Sequence, residues 1–282
     1  MSTPKESGAV SNPPTSGLDT GLQFPDTVIV GYYPVIGSGT RIGDHTRIGH
    51  HVCIGSDVNI GSGCEIGSHV VIHDGSRIGE GVRIDDGAVI GKQPMRAANS
   101  AVTKEQLQPP AVIGARCLIG AHSVLYAGCR LGEKVLVADL ATIREDVSVG
   151  DFTIVGRGVS IENKCSVGRY CKLETNAYIT AYSTIEDRVF VAPGVLTSND
   201  NFLGRTEERF RHFRGATLRR GARVGVGAVV LPGKEVGPDA VLAAGALLTR
   251  DADARIIYAG VPASPFRDVP EEQLLDNQGW SD

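Results

Sequence analysis

An all-β fold, a parallel β-helix of six-residue repeats, follows from three observations: an aliphatic side chain at every sixth position, glycine beside it, and little aromatic bulk. The aliphatic column opens at Phe24 and runs through Val30, Ile36, Ile42 and Ile48 to Ile90. It resumes at Ile113, Ile119 and Leu125 and continues to Val191, then returns at Leu218 and ends at Leu248. Self-similarity at a fixed period marks a solenoid. Neither a helix of period 3.6 nor a strand of period 2 keeps a six-residue spacing, whereas three short strands joined by three corners do. Eighteen residues then make one coil. Coils stack at the ~4.8 Å spacing of paired strands, so about ten of them build a rod ~50 Å long.

Each slot of the repeat has its own chemistry. The residue after the aliphatic position (i+1) is commonly Gly, as at Gly37, Gly43, Gly49, Gly55 and Gly61, which suits a tight corner where only Gly turns freely. The i+4 slot is small, as at Thr40, Val52 and Ala88, and it holds Cys64, Cys117, Cys129, Cys165 and Cys171, but not Cys53. Cysteine in a packed corner behaves as a small hydrophobe, so these five are expected as buried thiols. No CxxC pair exists, which argues against a zinc ribbon or a thioredoxin-type site. Aromatic residues make up 5% of the chain and Gly contributes 36 residues, which implies a core of small aliphatics. The repeat accounts for the glycines, and no GxGxxG follows a strand and opens a helix.

Three regions are expected. Residues 1–22, rich in Ser, Pro, Gly and Thr, read as disordered. Residues 23–264 form the β-helix, and 265–282 form a tail in which "VPEEQLLDNQ" suits a short closing helix capping the array. Two insertions, 92–110 and 198–217, interrupt the repeat. A net charge of −4 leaves no basic footprint for nucleic acid. No apolar run reaches the roughly 18 residues of a membrane span, and the N-terminus lacks the order of a signal peptide. The expected location is the cytoplasm.

Residues eighteen apart lie above one another. If both insertions preserve phase, Ile90, Leu125, Ile143, Ile161, Ile179 and Thr197 share one corner, and both insertions leave the rod there. That corner is unusual. Its i+1 column reads Tyr126, Arg144, Glu162, Thr180, Ser198; its i+2 column Ala127, Glu145, Asn163, Ala181, Asn199; its i+3 column Gly128, Asp146, Lys164, Tyr182, Asp200. One edge of the rod is thus a ladder of charged and hydrogen-bonding side chains bracketed by two loops. Loops that break a scaffold are where function concentrates. Glu162–Asn163 and Asn199–Asp200 sit two coils apart, on the order of 10 Å, a length suited to gripping a sugar. The competing reading is a solvated or subunit-contact edge held by Arg144–Glu162 pairs, which contribute little at a surface.

The array resembles the hexapeptide-repeat acyltransferases over residues 24–265. The resemblance implies a left-handed β-helix and a homotrimer with sites between subunits. "VFVAPGVLTSNDNFLG" (189–204) is similar to the active-site loop of the nucleotide-sugar N-acetyltransferase branch, with Thr197, Asn199 and Asp200 in its motif. Residues 221–264 resemble the coenzyme A-binding end of the superfamily. "GKQPMRAANSAVT" (91–103), with "LYAG", "ADLATIRE" and "AYITAY", is similar to enzymes that acetylate the 3-amino group of a dTDP-linked 3-amino-3,6-dideoxyhexose. Galactoside and xenobiotic acetyltransferases of the superfamily place a histidine in the loop held here by Ser198–Asn201; this chain has none there, and His212 lies farther along.

The function implied is acetyl transfer from acetyl-CoA to a sugar amine, with no metal. A neutral amine attacks a thioester without the base that a hydroxyl needs; the site must orient it, meet the oxyanion and accept one proton. Glu162 and Asp200 are the candidates to hold the ammonium and take its proton, Asn199 to orient it, and backbone N–H groups near Ala192–Gly194 to meet the oxyanion. Lys92 and Arg96 are candidates for the nucleotide diphosphate, and Tyr126, Arg144, Asn163 and Tyr182 for the rest of the acceptor. Gly227, Ala228, Gly245 and Ala246 are expected to line the pantetheine arm, and Ala192 and Gly194 also belong to the expected coenzyme site. Arg219, Arg220, Arg223, Lys234, Arg250 and Arg255 supply cations for the coenzyme's phosphates. Three rival readings stand beside this one. One is another acyl group or acceptor. A second is a zinc-dependent γ-type carbonic anhydrase, for which His45, His50, His51, His69 and His73 are the candidate ligands; zinc needs about three imidazoles that converge, and these sit in the N-terminal coils, remote from both insertions. The third is a non-catalytic scaffold.

Overall fold

The computed structural model describes residues 24–98 and 106–280, so the disorder expected for 1–22 lies outside the described residues. The chain winds as a parallel β-solenoid with three flat faces. The first face starts at Ile29–Val30, the second at Val35–Ile36 and the third at Arg41–Ile42; they carry thirteen, eleven and ten strands. Most strands are two residues long, the first pointing out and the second in. The inward column Ile36, Ile54, Ile72, Ile90 and its counterparts on the other faces from Ile42 to Leu248 are at most 5% exposed and form one continuous core, with Val30 partly buried at its end. Register advances eighteen residues per coil: Ile72 pairs with Ile54 and Ile90, and Leu131 with Val149.

The ladder is longer than the ten coils counted from the repeat. Beyond Leu248, Ile256–Ala259 still pairs in parallel with Val241–Leu242, then turns back antiparallel onto Ser264–Asp268. The closing helix takes the form of two 3₁₀ turns, Glu271–Gln273 and Leu275–Asn277, and Val269, Leu274 and Leu275 bury their side chains. This tail docks at the corner between the third and first faces. Asp239 accepts the N–H of Leu275 (3.2 Å), Arg220 and Arg255 meet Asp276 (3.4 and 3.8 Å), and Arg223 donates to Gln273 (3.0 Å).

The corners divide their work differently from the sequence reading. The left-handed backbone falls at i+3 and, apart from Gly91, not at the i+1 glycine: φ is 60° at His45, 56° at Asp57, 55° at Lys134 and 57° at Tyr170. His, Asp and Asn tolerate that region better than other residues with side chains. The i+1 glycines are required for closeness instead. A Cβ on Gly43 would lie 2.5 Å from the backbone nitrogen of Ser62 in the next coil, and one on Gly114 would overlap the carbonyl of Gly132. At i+2, Asp74, Asp86, Asp139 and Asp151 accept the backbone N–H of Ser56, Ser68, Ala121 and Glu133 one coil earlier, at 2.6 to 2.9 Å. Corner amides that the strand ladders do not reach are satisfied in this way.

The five i+4 cysteines are buried and Cys53 is exposed. The thiols of Cys64, Cys117, Cys165 and Cys171 point to carbonyls, Cys64 to Gly79 at 3.2 Å and Cys165 to Thr180 at 3.0 Å. Burial pushes the Cys165 and Cys129 thiols up to about 12 and those of Cys117 and Cys171 to about 11. Because the thiolate is the reactive form, a thiol reagent at pH 8 should modify Cys53 rapidly in the native protein and the other five only after unfolding. Fast modification of more than one thiol per native chain would show that the i+4 slots open.

Candidate functional site

Both insertions leave the corner between the second and third faces, as the eighteen-residue register requires. Ile90 pairs with Leu125, Leu125 with Ile143, Ile143 with Ile161 and Ile161 with Ile179, while Tyr178 stacks on Leu196. At the first departure the strand runs on as Val89–Lys92, Gly91 takes φ 80°, and Lys92 pairs with Tyr126. The loop is closed at its base by Gln93, which donates to the Gln108 carbonyl and accepts its N–H, both at 2.9 Å. The second insertion holds one helical turn, Arg209–His212, and returns at Gly215, whose α-carbon lies so close to Ser183 that any side chain would clash.

Between the loops the i+1 column forms a contact chain. The Lys92 ammonium lies 4.8 Å and the Arg144 guanidinium 4.9 Å from the Tyr126 ring centroid, each within cation–π range. Arg144 also donates to both oxygens of Glu145 (2.8 and 3.1 Å) and to Glu162 (3.3 Å). The i+2 column is covered: Ala127, Glu145, Asn163 and Ala181 are at most 4% exposed. Glu145 is thus a buried carboxylate whose fork is filled by Arg144, and it fixes that guanidinium against the ladder. The nitrogen of Lys92 is buried and has no hydrogen-bond partner among the described residues. Such an ammonium is expensive to leave unpaired, and an anion at this edge would relieve it.

Glu162 and Asp200 differ in electrostatics. Burial raises the pKa of Glu162; Arg144 opposes that shift without overcoming it, and the charge of Glu145 adds to it. Burial also works against the charge of Asp200, but the N–H groups of Gly204 and Phe202 (3.0 and 2.8 Å) and the Arg209 guanidinium (3.3 Å) outweigh it and hold its pKa below the carboxylate range. These contacts tie Asp200 into the second insertion. Thr197 is structural as well: its buried hydroxyl accepts from the Thr180 N–H (2.7 Å) and donates to the Tyr178 carbonyl (3.0 Å). The carbonyl of Asn199 accepts the N–H of Arg214 (3.3 Å). Tyr182 receives Lys164 over its ring at 5.3 Å, and Arg96 is exposed on the first insertion. His212 contacts Phe202 and Glu208 of its own loop.

Two residues were not assigned from sequence. Tyr178, on the outer surface of the second face, has its phenol pKa raised by burial and by the charge of Glu162. Its signal is a large aromatic in an outward column that reads Thr142 and Ser160 in the two coils before it. Glu145 was visible in its column, but its burial was not.

The coenzyme candidates lie elsewhere. Gly194, Gly227 and Gly245 stack at the corner between the first and second faces with φ 67°, 63° and 66°, and a Cβ on any of them would meet nothing within 4 Å. They form an open shelf. Ala192, Ala228 and Ala246, by contrast, are buried in the core, so their side chains cannot line a ligand. The expected oxyanion donors are also engaged: the Ala192 N–H bonds Val224 (2.9 Å), that of Gly194 bonds Thr175 (3.0 Å), and proline at 193 has none. Among the cations, Arg219 bridges Glu186 and Glu235 (2.9 and 2.8 Å), and Arg220, Arg223 and Arg255 clamp the tail. Arg250 is exposed. Among the described residues, no three His, Cys, Asp or Glu side chains converge as a metal site. His45, His51 and His69 occupy left-handed corner positions, with His51 and His69 stacked at 5.2 Å. No helix among the described residues is long and apolar enough to cross a membrane.

Residues 33–68 match the family of bacterial transferase hexapeptides (six repeats), and residues 110–138 match the hexapeptide repeat of succinyl-transferase. Over 49 residues the chain is 39% identical to a Schizosaccharomyces pombe protein named as an acetyltransferase, a match covering 17% of this chain and 24% of that protein. Among solved structures, PerB from Caulobacter crescentus in complex with CoA and GDP-perosamine is 27% identical, with 51% of this chain and 54% of that chain covered and a TM-score of 0.32. UDP-N-acetylglucosamine O-acyltransferase from Moraxella catarrhalis is 15% identical over 92% of this chain and 76% of its own, with a TM-score of 0.36. The array is therefore built, in at least these two stretches, from the hexapeptide repeat of transferases.

Proposed function

We propose that this hexapeptide-repeat chain is an acetyl-CoA-dependent N-acetyltransferase acting on the amino group of a nucleotide-linked amino sugar, a dTDP-3-amino-3,6-dideoxyhexose. The observation that carries the reading is the half-buried carboxyl of Glu162, its pKa raised, on a ladder that both insertions bracket. A base works best when its pKa approaches the working pH; Glu162 moves that way and Asp200 moves the other way. Glu162 therefore receives the ammonium proton, the neutral amine attacks the thioester carbonyl, the C–N bond forms, the C–S bond breaks, and the thiolate leaves as coenzyme A with a proton. Lys92 meets the diphosphate, Tyr126 and Tyr182 offer flat surfaces to the base or sugar, and Asn199 orients the acceptor. Arg144, fixed by Glu145, holds Glu162 in place.

The glycine shelf and the ladder sit on different corners of one rod. A homotrimer, in which the shelf of one copy faces the ladder of the next, brings coenzyme and acceptor together, and a cytoplasmic setting supplies both. Incubating the purified protein with acetyl-CoA and a panel of dTDP- and UDP-amino sugars, read by mass spectrometry, tests the reading: one acetyl group should appear on a 3-amino sugar. Coenzyme binding without product on any amine would reject the acceptor. Gly227→Asn tolerates the left-handed backbone and places a side chain in the open shelf. It should raise KM for acetyl-CoA about tenfold, the cost of roughly 1.4 kcal/mol of lost binding, with Tm unchanged; an unaltered KM would remove the shelf from the coenzyme's path.

A further inference from the structure

The corner between the third and first faces carries a cavity of about 310 Å³ that neither the ladder nor the glycine shelf shares. Its floor is an outward column on the first face, Lys172, Phe190 and Arg223, which stack on successive coils. Two cations therefore flank an aromatic ring, about 10 Å apart at two strand spacings. The side wall is Arg188, which lies 4.5 Å over the ring of Tyr170 and 5.3 Å over that of Trp280. The docked tail closes the other side.

The polar groups are unevenly satisfied. Asp239 spends one oxygen on the N–H of Leu275. Arg223 spends Nη1 on Gln273, but its Nη2 is buried with no hydrogen-bond partner among the described residues. A buried guanidinium donor left open calls for an oxygen acceptor, and Lys172 offers a second charge to the same ligand. Tyr170 is stacked between Phe152 and Arg188, so Phe190, partly exposed on the floor, is the apolar face on which a planar ring stacks, with Trp280 at its side. The size falls at the lower end of small-molecule sites.

We infer that this cavity is a second ligand site, separate from the transfer site, for a small molecule that joins a flat ring to a phosphate, of the nucleoside monophosphate class. The ring lies on Phe190 against the Arg188–Trp280 wall, the phosphate takes the open Nη2 of Arg223, and Lys172 meets the other end of the ligand across Phe190.

Trp280 is the only tryptophan in the chain, so its fluorescence reads occupancy directly. Titration of the full-length protein with adenosine or thymidine 5′-monophosphate should give a saturable change, with the same Kd when coenzyme A is present at saturation. Inorganic phosphate alone should bind at least tenfold more weakly. Arg223→Gln and Lys172→Gln should each weaken the nucleotide at least tenfold by fluorescence and by calorimetry. Lys172 is exposed and does not hold the tail, so its variant separates ligand contact from tail docking, with circular dichroism as the folding control. No saturable binding, displacement by coenzyme A, phosphate binding as tightly as the nucleotide, or a Lys172→Gln protein that titrates like the parent would each overturn the assignment.

Discussion

Glu162→Gln should lower kcat/KM for acetyl transfer by about 10²–10⁴, the usual contribution of a positioned base, while leaving acetyl-CoA affinity unchanged. The same substitution should not weaken the fold. Burial raises the pKa of Glu162 above its unfolded value, so the folded state holds this proton more tightly than the unfolded one. Below the unfolded pKa both states are protonated and the group contributes nothing. As pH rises through the folded pKa, ionisation destabilises the protein, and at neutral pH that penalty is fully present. Removing the charge at neutral pH should therefore keep or raise Tm, because Arg144 retains both oxygens of Glu145. The acid limb of the wild-type kcat/KM profile should lie above the ordinary carboxylate range and be missing in the variant. A variant that loses activity together with Tm would show a structural role; one that keeps full activity would remove Glu162 from the reaction.

Gly114→Ala should be the most damaging single methyl in the array. The new Cβ would overlap the backbone carbonyl of Gly132 in the next coil. Backbone cannot swing away as the end of a long side chain does, and the coil above is fixed by the pairing of Val112–Ile113 with Arg130–Leu131. Overpacking of this kind costs about 1–3 kcal/mol or more. In a solenoid the loss falls on an interface between neighbouring coils, so the array should lose cooperativity there. The control is Gly63→Asn, at a left-handed corner with φ 67° and open space around it. It should change stability by less than ~1 kcal/mol, since Asn enters that region at little cost. Chemical denaturation of both proteins checks the contrast; equal losses would contradict the crowding argued for Gly114.

That contrast marks where the sequence could be read and where it could not. The six-residue phase fixes which side chains point inward because each rung repeats the same geometry, and the register across both insertions survives because Ile90 still stacks on Leu125 and Thr197 on Val230. The shared exit corner follows from this arithmetic alone. The role of the i+1 glycines does not, since periodicity records that a residue is small without recording whether a torsion or a neighbour demands it. The fates of the cations were equally hidden. Arg220 and Arg255 read as phosphate ligands by charge, but Asp276 reaches both because the tail folds back as a hairpin and two 3₁₀ turns. Ala228 and Ala246 read as a smooth wall, yet their slot is i+4, the inward position that the cysteines also occupy. The split between Glu162 and Asp200 depends on which amides the second insertion folds around Asp200, and that loop has no repeat to reveal it.

The central claim is that the edge between the two insertions holds the acceptor, and Lys92→Met tests it most directly. The buried ammonium of Lys92 has no hydrogen-bond partner among the described residues, so an uncharged side chain of similar length should leave the unliganded protein as stable or more so. Calorimetric titration with the dTDP-amino sugar and, separately, with acetyl-CoA is the measurement. The account predicts an acceptor Kd raised tenfold or more, a charged contact being worth about 1.5–3 kcal/mol, with the acetyl-CoA Kd unchanged. An acceptor that binds the variant as tightly as the parent would contradict it.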